Sequence, residues 1–175
     1  MAVLLGERRC GRQWAWLAAV ALVTTSCTSV SYPEAAIKAS DEGDQKAAIS
    51  FARKEVARFS TPDQCSRTTN RNCGTLALAY GALAEYQILA GDRAAGESTF
   101  GSAKGALEWM DREDRPSATA MVYRDVSEAF WKTGDRPRAI VVFNEGRAAG
   151  ADGWLYMCSA AQAAGYGPEG PRAGS

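Results

Sequence analysis

An internal repeat is the sequence feature that most restricts the folds this chain can adopt. Residues 80–103 align without a gap on residues 123–146 when the pair Gly91-Asp92 is placed on Gly134-Asp135. Large apolar residues then stand opposite large ones, and small residues opposite small ones. Two copies of a helix–turn–helix unit produce this pattern. The repeat therefore predicts an all-α fold of antiparallel helix–turn–helix pairs.

Length and composition narrow the possible functions. A chain of 175 residues is expected to form one domain with a core of its own. The net charge is zero, whereas a nucleic-acid-binding protein usually carries a basic stripe. The sequence contains no histidine, so the commonest general base and the commonest neutral metal ligand are both missing. We therefore expect no nucleic acid, no cofactor, no metal and no small-molecule substrate.

The amino terminus has the organisation of a secretory signal. Arg8, Arg9 and Arg12 precede an uncharged, largely apolar run over residues 14–23, and small residues follow. A membrane-spanning helix needs about 20 apolar residues, and this run is shorter. Residues 1–26 are therefore predicted to be a signal peptide, with a retained membrane anchor as the alternative.

The end of this segment carries a second motif. Residues 23–27 read Val-Thr-Thr-Ser-Cys and resemble the lipobox of bacterial lipoproteins, although Thr24 stands where leucine is usual. The resemblance implies cleavage after Ser26 and lipid attachment at Cys27, with more than one acyl chain for lasting membrane binding. Thr28 in place of aspartate implies the periplasmic face of the outer membrane. The alternative is an ordinary secretory peptide that leaves Cys27 as a plain thiol.

The remaining chain divides into three predicted parts. Residues 27–33 are polar and end in proline, which indicates a tether. Residues 34–164 form the helical domain, which begins at about Glu34. Residues 165–175 lack apolar mass and are predicted to be disordered.

Both ends of the helical domain are predicted to be capping units. Gly43-Asp44 is a possible third copy of the turn, although Ala52 stands where the other copies have phenylalanine. This indicates a degenerate amino-terminal unit. At the other end, Trp154, Leu155 and Cys158 are expected to cover the exposed side of the last helix pair.

A polar loop over residues 61–74 contains two cysteines. In the oxidising compartment that a secreted chain enters, Cys65 and Cys73 could form a disulfide that closes the loop. The alternative is that one of them pairs with Cys158. A metal site is not expected, because the chain lacks histidine and a C-x-x-C spacing.

The repeat resembles the tetratricopeptide repeat. In that family the positions before the turn are a large residue, a pair of leucine and a small residue, and an aromatic residue. A Gly-Asp-like turn follows, and then a small residue, an aromatic residue and a second small residue, all at fixed offsets. The first unit departs from it at Gln87, and the period is 43 (134 − 91) where about 34 is standard. The matching residues are Tyr80, Leu83-Ala84, Gly91, Gly96, Phe100 and Ala103, then Tyr123, Val126-Ser127, Phe130, Gly134, Ala139, Phe143 and Gly146.

The resemblance implies a short solenoid whose first helices line a concave partner-binding surface. Leu78, Ile88 and Met121 could instead belong to the core, and the role of Trp131 is equally open. Trp131 with Arg124 is the kind of pair enriched at interface hot spots. The implied partner-binding residues are Leu78, Glu85, Ile88, Met121, Arg124, Glu128 and Trp131.

These observations favour a non-catalytic, lipid-anchored protein-interaction module in the cell envelope. It is similar to repeat lipoproteins of the pilotin and assembly-factor kind, which implies a role in tethering or assembling a pilus or secretion system. One alternative is a structural lipoprotein that associates with itself. Another is an envelope hydrolase, for which Glu85 and Glu128 are the candidate carboxylates, although their helix positions suggest solvent exposure.

Overall fold

A computed structural model describes residues 31–167 and 170–171. The predicted signal peptide, Cys27 and residues 28–30 of the predicted tether lie outside the described residues. The described part is all-helical apart from one short strand pair. Its elements are α1 (Tyr32–Asp41), α2 (Gln45–Phe59), α3 (Cys73–Leu89), α4 (Arg93–Glu108), α5 (Arg115–Lys132), α6 (Arg136–Ala148), a 3₁₀ helix (Gly153–Met157), α7 (Ser159–Ala163), β1 (Tyr166–Gly167) and β2 (Gly170–Pro171).

Three turns of the same geometry join the helices into pairs. Gly43, Gly91 and Gly134 have φ values of 83°, 85° and 87°, a region that glycine enters without strain. The aspartate after each glycine caps the next helix through its carboxylate. Asp44 accepts from the backbone N of Ala47 at 2.9 Å, and the other two aspartates repeat this bond. The predicted third copy of the turn is therefore confirmed.

Helix α3 lies at the centre of the molecule. It packs against α2, α4 and α5, while α6 packs on the far side of α5. The second and third pairs thus meet mainly through their first helices, α3 and α5. The first pair joins the others mainly through its second helix, α2. A helix that is apolar on more than one side suits this central position.

The repeat's aromatic residues belong to the apolar core. Phe100 and Phe143 are 1% and 0% exposed. The ring of Phe100 meets the ring of Tyr123 edge-on, with 5.0 Å between the centroids. This contact links α4 of one pair to α5 of the next, so the equivalent positions of the repeat are core positions.

Small residues allow the helices of a pair to approach closely. A Cβ atom at Gly96 would lie 2.5 Å from Cγ1 of Ile88 and 3.2 Å from the carbonyl oxygen of Ala84. At the equivalent place in the next pair, Ala139 is fully buried. Gly96 therefore leaves room for Ile88, so that α3 and α4 approach closely.

A charged cluster connects the second helices of the two central pairs. Arg138 on α6 forms a two-point ion pair with Glu97 on α4, with both N–O distances at 2.8 Å. The remaining nitrogen of Arg138 pairs with Glu145 at 2.8 Å. These bonds lower the pKa of Glu97 and raise the pKa of Arg138. The guanidinium therefore fixes α4 relative to α6 outside the apolar core.

The helical domain begins earlier than the sequence suggested. Helix α1 starts at Tyr32, and Pro33 lies in its first turn, where its missing N–H costs nothing. Ser31 and Glu34 form a reciprocal capping box ahead of it. The expectation that the tether extends to residue 33 is therefore wrong.

The carboxy-terminal segment is also more ordered than expected. Leu155 and Cys158 are 0% and 1% exposed and cover the last pair as predicted, but Trp154 is 52% exposed and does not. Tyr166 packs against Phe143, with 5.4 Å between the ring centroids, and β1 pairs with β2. The predicted disorder is thus wrong for residues 165–167 and 170–171; the rest of that tail lies outside the described residues.

The loop before α3 is closed by a disulfide between Cys65 and Cys73. This confirms one of the two predicted pairings, and Cys158 is a buried free thiol.

Among the helices that the structure describes, none combines the length and the apolar character needed to span a membrane.

Candidate functional site

An apolar groove of about 310 Å³ opens between α1, α3 and α5. Helix α3 contributes the largest share of its lining, while α1 and α5 lie on either side, and α2 closes one part. We call it the α1/α3/α5 groove. Its lining residues are Pro33, Ala36, Ile37, Ala52, Glu55, Thr75, Leu78, Ala79, Ala82, Tyr86, Met121 and Asp125.

The groove exists because α1 packs on α2 and leaves one face of α3 uncovered. On this face Thr75, Leu78 and Ala82 follow one another at helical spacing. Leu78 and Ala82 are half-buried, whereas the opposite side of α3 is buried against α4 and α5. Ile37 on α1 remains 54% exposed at the rim. A continuous apolar surface therefore stays open to an occupant.

Glu85 lies one turn beyond Ala82 on the same face of α3. Its side chain is half-buried, and its desolvation, reinforced by the nearby charge of Asp125, raises the pKa of Glu85 to about 7. Within the described part of the chain, Glu85 forms no ion pair. It is therefore a carboxylate that the surrounding residues do not neutralise.

Two further carboxylates line the groove itself. Asp125 on α5 pairs with its neighbour Arg124, at 2.8 Å from Nη2. Burial nevertheless raises the pKa of Asp125 above its ordinary value. Glu55 on α2 is 8% exposed and pairs with Arg58 at 3.1 Å. An apolar groove with acidic groups on two sides is the result.

Met121 and Leu78 lie where the sequence placed them, since both line the groove and are half-buried. Arg124 is beside the groove but is engaged by Asp125. Ile88 is a correction: it is 2% exposed and lies against Gly96 of α4, so it belongs to the core. Its position on α3 faces the partner helix of the same pair, because Gly96 leaves room for it.

Glu128 and Trp131 have different contacts from those expected. The carboxylate of Glu128 accepts hydrogen bonds from the backbone N and the hydroxyl of Ser159, so it holds the start of α7. Trp131 is half-buried against the core, and the guanidinium of Arg136 lies 5.1 Å from its ring centroid. Trp131 thus lies beside Arg136, whereas Arg124 is engaged by Asp125.

Sequence reasoning missed several groove residues. Ile37 went unrecognised because α1 was read only as part of an incomplete unit, and Glu55 because its helix was not expected to reach the concave face. Asp125 follows a predicted contact, Arg124, and the 3.6-residue period could have included it. The raised pKa of Glu85 had no sequence signal, because it depends on burial in the folded protein and on the charge of Asp125 from α5.

The described ranges contain no group of acidic or cysteine side chains placed to hold a metal ion. Comparison of the chain with protein-family models, curated proteins and solved structures gave no significant match. Its function must therefore be argued from its own residues.

Proposed function

We propose that this protein is a lipid-anchored interaction module that tethers an envelope machine, such as a pilus or secretion system, or assists its assembly. The observation that carries the proposal is the open α1/α3/α5 groove. Leu78, Met121 and Ile37 present apolar surface there that no described element covers. An uncovered apolar face bordered by charged residues is typical of a protein-binding surface.

The architecture is proposed to be a short tetratricopeptide-like solenoid. The repeated Gly-Asp turns, the adjacent first helices α3 and α5, and the buried Phe100 and Phe143 support this assignment. The amino-terminal pair departs from it, because α2 rather than α1 packs on α3. In our proposal this irregular first pair is what widens the concave face into a groove.

The proposed anchor is a lipid on Cys27, on the periplasmic face of the outer membrane. The first described residue, Ser31, follows Cys27 by four positions (31 − 27), so the folded domain would be held close to the bilayer. Pro33 lines the groove, so a lipid on Cys27 would hold the groove near the membrane. Tethering raises the effective concentration of a bound partner at the membrane.

Mass spectrometry of the protein purified from its native membranes tests the anchor. We expect an amino-terminal diacylglyceryl cysteine at Cys27, lost in a Cys27→Ser variant together with sedimentation in the membrane fraction. An unmodified Cys27 in the membrane-associated protein would remove the anchor from the proposal.

Site-specific photocrosslinking in the cell tests the interaction. A photoreactive amino acid at Leu78 or Met121 should give adducts with one envelope protein, and Met121→Asp should abolish those formed from Leu78. The same probe at Gly101, an exposed position on α4, serves as the control. Equal crosslinking from Gly101 and from the groove would argue against a dedicated docking face.

Self-association is the second candidate, and one observation favours it. Trp154 and Met157 in the 3₁₀ helix are 52% and 54% exposed, an apolar pair at the open end of the stack. Light scattering of the protein should show oligomers that a Trp154→Ser/Met157→Ser variant loses. A monomer at all concentrations would exclude this candidate.

A hydrolase is supported by the pKa of about 7 at Glu85, a value suited to a general acid. Two observations favour a binding role instead. The second candidate carboxylate, Glu128, is engaged by Ser159, and the groove lining around Leu78 and Met121 is apolar. We expect that neither the wild type nor Glu85→Gln cleaves isolated cell-wall material above the level of a blank without protein. Cleavage by the wild type that Glu85→Gln abolishes would favour the hydrolase over the binding role.

A further inference from the structure

Two carboxylates line the α1/α3/α5 groove, and a third lies one helical turn beyond its lining, so the three come from three helices. Glu55 approaches from α2, Asp125 from α5, and Glu85 extends the α3 face beyond Ala82. Any segment lying along the apolar floor would therefore come close to negative charge from more than one side. Such an arrangement restricts the charge that an occupant can carry.

The nearby cations neutralise this set only in part, because Glu55 and Asp125 each have an arginine partner whereas Glu85 has none in the described ranges. Arg58, which pairs with Glu55, has a side chain that is 56% exposed and reaches toward solvent. Arg124 pairs with Asp125, its immediate neighbour. Glu85 receives only the longer-range fields of Arg124 and Lys132. A cation delivered by the occupant would thus find a carboxylate without a close partner.

Partial burial makes this negative charge costly in the free protein. The pKa of Glu85 is raised to about 7, and the pKa of Asp125 is raised as well, chiefly because both groups are desolvated. A buried carboxylate gains most from a cation placed within hydrogen-bonding distance. The occupant that relieves this cost is one whose apolar surface and positive charge lie side by side.

We propose that the α1/α3/α5 groove binds an amphipathic helix of a partner protein whose apolar stripe is flanked by lysine or arginine. The inference rests on the proposed function and specifies the partner's chemistry. The apolar stripe would lie on Leu78, Ala82 and Met121, and the basic residue would pair with Glu85 and Asp125. A phospholipid is disfavoured as the occupant, because its phosphate would meet the same carboxylates.

Two peptide probes test the charge preference. Both carry leucine at i, i+3, i+4 and i+7 along a helix, and they differ only in the flanking residues, which are lysines in one and glutamates in the other. Each is labelled with a fluorophore, and its anisotropy is measured against the full protein in the form that the cell produces. We expect the lysine peptide to bind at least about tenfold more tightly, with the preference falling as salt is added.

Variants of the acidic groups provide the matched comparison. Glu85→Gln/Asp125→Asn should remove the preference while keeping the shapes of the side chains. Glu85→Lys/Asp125→Lys should reverse it, so that the glutamate peptide binds more tightly. Glu108→Lys/Glu113→Lys makes the same change in net charge at exposed positions outside the groove lining, and should leave the preference intact.

Each other outcome overturns the inference in a recognisable way. Equal binding of both peptides, lost in Met121→Asp, would leave the docking function standing but remove the requirement for a basic partner. Preference for the glutamate peptide would contradict the inference directly. Binding of neither peptide would reject it. Two further experiments would then identify the occupant. Light scattering would detect a second copy in the groove. Peptide binding to a precursor that retains residues 1–26, with Arg8, Arg9 and Arg12, would show whether the chain's own amino terminus occupies it.

Discussion

The carboxylate of Glu128 on α5 accepts two hydrogen bonds from Ser159, one from its backbone N at 2.9 Å and one from its hydroxyl at 3.1 Å. Ser159 is the first residue of α7, and the preceding residue, Cys158, gives no side-chain cap. A side chain from another helix therefore satisfies the free amide of Ser159 at this helix start. The residue expected to contact a partner instead holds the end of the chain against α5.

Glu128→Ala should loosen this end of the molecule. Loss of a charged cap costs about 1–2 kcal/mol of unfolding free energy, and we expect it to appear as faster amide exchange in α7 and a lower melting temperature. Glu113→Ala, at an exposed carboxylate in the connector before α5, is the control and should change neither. Unchanged exchange in α7 for Glu128→Ala would contradict the capping role.

Gly96→Ala should destabilise the protein although alanine favours helix. The added methyl group would overlap Ile88, and forcing an extra carbon into a packed contact typically costs about 1–3 kcal/mol. Gly101→Ala on the same helix meets no atom within 4 Å and should stabilise by roughly 0.5–1 kcal/mol. Chemical denaturation of the two variants should therefore give shifts of opposite sign; shifts of the same sign would exclude a close contact of α3 and α4 at Gly96.

Removal of the loop disulfide should lower stability without changing the fold. A Cys65→Ala/Cys73→Ala variant loses a cross-link between residues eight apart, for which the chain-entropy model gives roughly 2–3 kcal/mol. Thermal unfolding with and without reductant measures this difference. Cys158→Ala is the control: it should leave the effect of reductant in place.

Thiol titration of the native protein should find Cys158 unreactive until denaturant is added, because its side chain is buried.

The half-buried Glu85 should make stability depend on pH. Its pKa is about 7 in the folded protein against an ordinary value of 4.5, so the folded state binds more protons between these values. Its contribution to stability is therefore fully present below about pH 4.5 and is lost as the pH rises through 7.

Glu85→Gln should remove this dependence and make the protein more stable at about pH 8 by roughly 2 kcal/mol. Glu113→Gln is the matched control and should follow the wild type across the range. Urea denaturation between about pH 5 and pH 8 gives the comparison. A wild type and a Glu85→Gln variant with parallel pH profiles would show that Glu85 titrates normally.

Local patterns anticipated much of the scaffold. The Gly-Asp pairs predicted the three turns, because a left-handed residue followed by a carboxylate cap needs only neighbouring residues. The positions of Phe100 and Phe143 in the repeat predicted their burial, because an apolar stripe at helical spacing must face another helix. The pairing of Cys65 with Cys73 was one of the two predicted pairings. It could be predicted because a short polar loop brings these cysteines together without any distant contact.

The candidate site was less accessible to sequence reasoning. Offsets within the repeat left Leu78, Met121 and Ile88 open between the concave face and the core. Leu78 and Met121 line the groove, whereas Ile88 belongs to the core. Ile88 is buried because Gly96 lets α4 come close, which is a property of two helices and not of one. The sequence likewise gave no signal for the neighbours of Glu128 and Trp131, because Ser159 and Arg136 lie on other elements.

The sequence by itself determined most of the helices and their turns, because these depend on residues within a few positions of one another. Only the tertiary structure decided that α2 rather than α1 packs on α3, and hence that a groove lies between α1 and α5. It also desolvated Glu85 and brought Asp125 near it, and both effects raise the pKa of Glu85, desolvation the more. Desolvation and through-space charge depend on which elements become neighbours, and that follows from the packing of the whole chain.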